Sequence, residues 1–321
     1  MGKIIVPEIW IPKYKDVGVE AGIGVWGELE WQLIDKGNFL RPTVVRKGKQ
    51  RNLIVNAGLN DSKGLVGDIN YYDYMDIGKG TAEPSTADTA LANSVLSVKK
   101  YRQAQSSPAL VTGNPSLAYT QCVFQFNENE ANDDLTEWGT FYSTTGAMWC
   151  RELFRDENGN PVVVTKTSSQ VLVLTYNCYW QRGSDNPAEA TFNVDGTNYA
   201  FATLINNNQL LRCPLMPAET YTIAGTSNTP SNVTDAFKNL KGTSLGLSSS
   251  TSVLSYVADS FVCETKLTVD INKWNGNIGE IIWSYSSGVD TCVARTTITP
   301  VFPKTSSQKL YITFKRTTVR V

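Results

Sequence analysis

Histidine is missing from all 321 residues. Its absence removes imidazole as a metal ligand and as the side chain most often used for general acid–base work near neutral pH. Charge is scarce as well. Charged residues make up 18% of the chain, and 29 Lys and Arg stand against 30 Asp and Glu for a net charge of −1. A nucleic-acid binder carries a basic patch or stripe, whereas these basic residues are scattered, so no nucleic-acid partner is indicated. No apolar run approaches the roughly 18 residues that span a bilayer. The start MGKIIVPEIWIPKYKD places Pro and Glu where a secretory signal needs an unbroken apolar core. No membrane contact and no export by the usual signal are expected. The six cysteines form no C-x-x-C pair, and neither G-x-S-x-G nor a phosphate loop is present. GKGT at 78–81 is too short for a phosphate loop and reads as a turn between two strands.

What replaces charge is Ser, Thr, Asn and Gly, with aromatic residues at 10%. That is a sheet composition with turns to match. Alternating segments such as ELEWQLID, AYTQCVFQF, VLVLTYNCYW and KLYITFKRTTVRV are bounded by Gly, Asn and Asp clusters, the pattern of many antiparallel strands. Two short helices are predicted, Ser85–Asn93 and Ser231–Leu240, each opened by a Ser cap after Pro.

The pentamer KTSSQ occurs twice, at Lys166–Gln170 and Lys304–Gln308, 138 residues apart. Its surroundings repeat in the same order. Cys122 and Cys150 precede the first copy and Cys263 and Cys292 the second. GTAEPSTADTALAN answers GTSNTPSNVTDAFKN, and NLIVNAGL answers TLINNNQL. These matches predict a tandem duplication: an N-terminal extended arm at 1–25, one antiparallel β-sandwich domain at 26–182, and a second of similar topology at 183–321. The all-β protein would then be two modules, each of a size that buries a core without staples.

The recurring cysteines allow two readings. Either they are small buried hydrophobes, or each module carries one disulfide, Cys122–Cys150 and Cys263–Cys292. Cys178 and Cys213 have no counterparts and are expected to be free thiols. The run NENEANDDLTEW, with Glu128, Glu130, Asp133, Asp134 and Glu137, has the acids for a calcium loop or a glycosidase pair. Its counterpart DINKWNGNIGE keeps few of them, which favours a solvated loop. No catalytic, cofactor-binding or metal-ligating residue is assigned, and no enzyme activity or cofactor is expected. The apolar arm residues Ile9, Trp10 and Ile11 have no partner in the second module and are candidates for docking onto another subunit.

NLIVNAGLND followed by DIGKGTAEPSTADTALAN resembles a module of virion structural proteins of tailed bacteriophages, found in tail, baseplate, neck and fibre-attachment components. The likeness is close over Gly24–Asn93 and looser beyond. It implies a structural virion protein, assembled in the host cytoplasm as a homo-oligomer (trimer or hexamer) with other virion proteins as partners. The alternative is a tail fibre or receptor-binding protein contacting a host-surface glycan. Beside the resemblance stand physical roles. Gly58 and Gly80 suit left-handed or tight turns, Asp88 or Thr89 can close the loop onto backbone amides, and Leu91 can plug the core.

Overall fold

The structure is a computed structural model that describes residues 17–36, 42–61, 72–106, 109–111, 117–156, 158–182, 188–194, 196–205, 221–225, 243–248, 251–256, 259–269, 273–284, 294–308 and 310–320. The fold is all-β, as the composition predicts. In the first half the strands are β1 (Val17–Asp35), β2 (Thr43–Ile54), β3 (Tyr74–Gly78), β4 (Lys100–Tyr101), β5 (Ala104–Gln105), β6 (Ala109–Val111), β7 (Leu117–Phe126), β8 (Asp134–Leu135), β9 (Glu137–Phe141), β10 (Met148–Leu153), β11 (Val164–Thr165) and β12 (Gln170–Arg182). In the second half they are β13 (Ala188–Val194), β14 (Thr197–Ile205), β15 (Tyr221–Gly225), β16 (Ser244–Ser248), β17 (Thr251–Tyr256), β18 (Val262–Val269), β19 (Gly276–Ser284), β20 (Ala294–Lys304) and β21 (Leu310–Arg320). The α-helix among the described residues is α1 (Asn56–Asp61). It is too short to cross a membrane.

A 13-stranded sheet runs β17-β18-β21-β1-β2-β10-β9-β3-β4, with β12 and β7 continuing from β1. Alternation decides which side faces inward. Leu172, Leu174, Tyr176, Cys178 and Trp180 of β12 are buried, as are Leu29, Trp31 and Leu33 of β1 and Cys122, Phe124 and Phe126 of β7. They share one core with Ile77, Trp138 and Trp149 from the far strands, so the sheet curls round its own interior. Buried aromatics dominate that core, and each contributes a large apolar area. Trp149 donates to the Tyr176 hydroxyl at 3.2 Å, and Tyr72 meets the Tyr176 ring edge-on at 5.1 Å. A six-stranded sheet, β13-β14-β20-β19-β15-β16, belongs to the second half.

The halves are not separated at the boundaries drawn from sequence. Residues 17–25, read as arm, form the first part of β1, which pairs in parallel with β21 from Val17↔Ile312 to Val25↔Arg320. From Gly27 onward the same edge of β1 carries β2. One 19-residue strand therefore serves both halves. Ile9, Trp10 and Ile11 lie outside the described residues.

The repeated pentamer builds the same turn twice. Thr167 N donates to Gln170 Oε1 at 2.9 Å and Thr305 N to Gln308 Oε1 at 2.9 Å. The Thr and Ser hydroxyls lie 3.0 Å apart in each copy. The first residue is a buried lysine both times. Lys166 Nζ reaches Asn127 O and Asn132 Oδ1 at 2.7 Å, and Lys304 Nζ reaches Lys273 O at 2.5 Å. Burial lowers the pKa of Lys166, and backbone oxygens stand in for the water it has lost.

Candidate functional site

The motif that carries the phage resemblance converges on one buried carboxylate. Residues 79–99 do not make a hairpin turn at GKGT, and Ser85–Asn93 is not a helix. This stretch is an irregular strap lying across the end of β9. Helix formation loses because the amides that would feed it are taken elsewhere. Glu137 Oε1 accepts from Gly80 N at 2.9 Å and Asn93 N at 2.8 Å, and its Oε2 accepts from Ala92 N at 3.1 Å. Ser85 N donates to Asp88 Oδ2 at 2.9 Å, closing the loop as the sequence suggested for Asp88. Leu91 is half-buried and packs against the small cluster of Val55, Phe141 and Met148 rather than entering the main core. The second predicted helix, Ser231–Leu240, lies outside the described residues.

Arg151 completes the node from β10. Its Nε donates to Glu137 Oε2 at 2.9 Å, one Nη to Asp88 Oδ2 at 2.6 Å, and the other to Ala82 O at 2.9 Å. Burial works against the charge of Arg151, but its bonds to Asp88 and Glu137 outweigh that and hold its pKa above the ordinary value. Beside it Asp76 accepts from Ser94 Oγ at 2.7 Å and from Ile77 N at 2.9 Å, and burial raises its pKa.

The motif glycines serve close approach. A Cβ on Gly80 would stand 2.3 Å from Glu137 Oε1, and one on Gly58 would stand 2.4 Å from Trp149 O. Neither is left-handed, so that one of the two conformations offered from sequence is not used. Gly58 lies in α1, whose Asn56 N donates to Thr86 O of the strap at 2.7 Å. The two pieces of the motif therefore touch. The same helix faces the second half. Asn60 and Asp259 exchange two hydrogen bonds of 3.0 Å, while Arg320 donates to Ile54 O at 2.6 Å and to Asn56 Oδ1.

The acidic run is dispersed among different partners. Glu128 pairs with Lys36 at 2.9 Å, Glu130 with Lys100 at 2.7 Å and Asp133 with Lys79 at 2.8 Å, while Asp134 accepts from Thr165 at 2.6 Å. Among the described residues no three His, Cys, Asp or Glu are grouped to hold a metal ion. The run is a set of staples, and Glu137 is its buried end.

The second half repeats the ion pair. Arg151 stands opposite Gly139, two residues after Glu137; Arg295 stands opposite Ile282, two residues after Glu280. Arg295 donates to Glu280 Oε1 at 2.9 Å with both residues buried. Sequence reasoning missed both arginines. The available signal was Glu followed five residues later by Tyr in EWGTFY and EIIWSY, with an Arg on the next strand.

This register corrects the cysteine matching. Cys150 directly precedes Arg151, and Ala294, not Cys292, directly precedes Arg295. On the other ladder Leu174 faces Phe124 and Ile312 faces Leu267, so Cys122 answers Thr265 and Cys263 lies two residues away. Cys122 and Cys150 are free buried thiols, not a disulfide, and Cys178 is free as expected. Cys150 Sγ instead lies 3.1 Å from Thr140 Oγ1. Burial pushes the Cys122 thiol up to about 12 and that of Cys150 to about 11. The side chains of Cys263, Cys292 and Cys213 lie outside the described residues.

On the outer face, Trp26, Tyr179 and Tyr119 form a row across β1, β12 and β7. Trp26 stacks on Tyr179 at 5.1 Å, Tyr119 follows at 5.7 Å, and Arg51 lies over Trp26 at 5.7 Å. The rings cover one another's faces, which ties the strands together instead of presenting a flat platform.

Comparison with family models, with curated proteins and with solved structures finds no match to this chain.

Proposed function

We propose that the protein is a structural component of a tailed-phage particle, a rigid β scaffold that assembles in a ring or adaptor at the tail, baseplate or neck with other virion proteins. The observation that carries this reading is where the motif spends its polar groups. Glu137, Arg151 and Asp88 fix the strap, and Asn56 and Asn60 fix the joint to the second half. Glu137 is bonded at both oxygens by amides and guanidinium, and Asp88 holds Arg151 and the Ser85 amide through Oδ2, which suits load-bearing better than turnover. The stacked outer rings favour scaffold over glycan recognition in the same way. The test is native mass spectrometry and negative-stain microscopy of the purified protein, with discrete rings or collars of three or six copies expected. A monomer that instead binds host cells would establish the fibre alternative, and a monomer without either property would sink both.

A further inference from the structure

The aromatic core of the first half carries a polar seam. On the inward face of the sheet the ladders set Asn52 of β2, Gly27 of β1, Cys178 of β12 and Thr120 of β7 side by side. The rows flanking them are apolar or aromatic: Val25, Trp180 and Ala118 on one side, Leu29, Tyr176 and Cys122 on the other. Tyr72 reaches the seam from across the core. It is fully buried, its ring meets that of Tyr176 edge-on, and burial together with the neighbouring Cys178 and Cys122 thiols raises its pKa. Thr120 Oγ1, the Tyr72 hydroxyl and both ends of the Asn52 carboxamide are buried with no nitrogen or oxygen partner among the described residues. Asn52 opens the motif NLIVNAGL, yet neither the strap nor the joint to the second half draws on its side chain. Gly27 makes room for it. A Cβ at that position would collide with Asn52 Oδ1 and with the Tyr176 hydroxyl, so both atoms lie over the glycine.

We propose that this seam is an internal binding site for ordered water, held by the Thr120 and Tyr72 hydroxyls at one end and by the Asn52 carboxamide at the other. The inference does not depend on the assembly reading. Buried hydroxyls and amides of folded proteins are hydrogen-bonded with few exceptions, because a group left bare has given up its bonds to solvent and gained nothing. Water suits the groups present. A carboxamide and two hydroxyls offer donors and acceptors together, and a molecule that donates twice and accepts twice can serve them all. The seam residues carry no charge with which to hold an ion. Their small size adds to the case. Gly27, Cys178 and Thr120 stand in a row whose neighbours are Trp180 and Tyr176, so the floor of the core is lowest where its polar atoms lie.

A high-resolution crystal structure of the unaltered protein tests this directly. Water density within about 3.2 Å of Thr120 Oγ1 and of the Asn52 carboxamide is expected. A dry seam, or one whose hydroxyls and carboxamide bond to other protein groups, would overturn the proposal. Stability reads the same point by its sign. Thr120→Val and Tyr72→Phe each remove one hydroxyl with little change of shape. If that hydroxyl holds water, its loss takes a bond from the water and the urea midpoint falls; if it is bare, the apolar replacement raises the midpoint. A midpoint that is unchanged or raised in both variants overturns the site, and should neither variant fold, the density decides alone.

Discussion

Glu137 and Glu280 each stand on one strand and hold an arginine from the next, one pair in each half. Both are fully buried, and both hold an arginine from the neighbouring strand two residues further along the ladder. Glu137 receives three backbone amides from the strap, and its arginine reaches on to Asp88 and Ala82. The strand-to-strand pair is common to both halves, and in the first it ties down the strap. Such a pair, recurring at the same ladder offset, is what a tandem duplication would leave.

The comparison is broken most severely at the carboxylates. Glu137→Ala leaves Arg151 buried without its main partner and should cost about 3–5 kcal/mol, read as a lowered urea midpoint. Glu280→Ala leaves Arg295 buried in the same way and should cost a similar amount. If it cost under about 1 kcal/mol, the two pairs would not be equivalent. Next comes Gly58→Ala, whose methyl group meets the Trp149 carbonyl. A loss of roughly 1–3 kcal/mol is expected there. By sequence order the second half places Gln209 at the matching position.

Smaller effects sharpen the likeness. Gln170→Ala and Gln308→Ala each remove the acceptor for a threonine amide and should each cost about 0.5–1.5 kcal/mol. The two losses should agree within error, and a clear inequality would mean that the repeated turns are not energetically alike. The smallest effect concerns reactivity. With its thiol at about 12 and buried, Cys122 should resist iodoacetamide at pH 8, as should Cys150 and Cys178, and all three should label in denaturant. Rapid native labelling of Cys122, found by peptide mapping, would contradict its burial.

Much of this was legible in the sequence because strands announce themselves locally. The alternation in VLVLTYNCYW gives the buried face of β12 residue by residue, and the pentamer's hydrogen bonds lie within its own five positions. The strap was misread as a helix because a Ser after Pro is a good cap, whereas the carboxylate that captures the strap's amides is more than forty residues away. The cysteine matching failed for a geometric reason. A slip of two residues returns a strand to the same face, so the apolar pattern cannot detect it, and the ladder partners were needed. The parallel joint of β1 with β21 connects residues near the two ends of the chain, beyond the reach of periodicity.

That joint also has a mechanical meaning. Val17–Val25 and β21 run in the same direction, so tension applied through residue 17 and residue 320 pulls the two strands past each other along their length. All nine pairs are then strained together, whereas a hairpin pulled at its open end yields one pair at a time. Such a lap joint resists stretching far better than peeling. A particle component whose neighbours pulled on those two points would bear the force as shear.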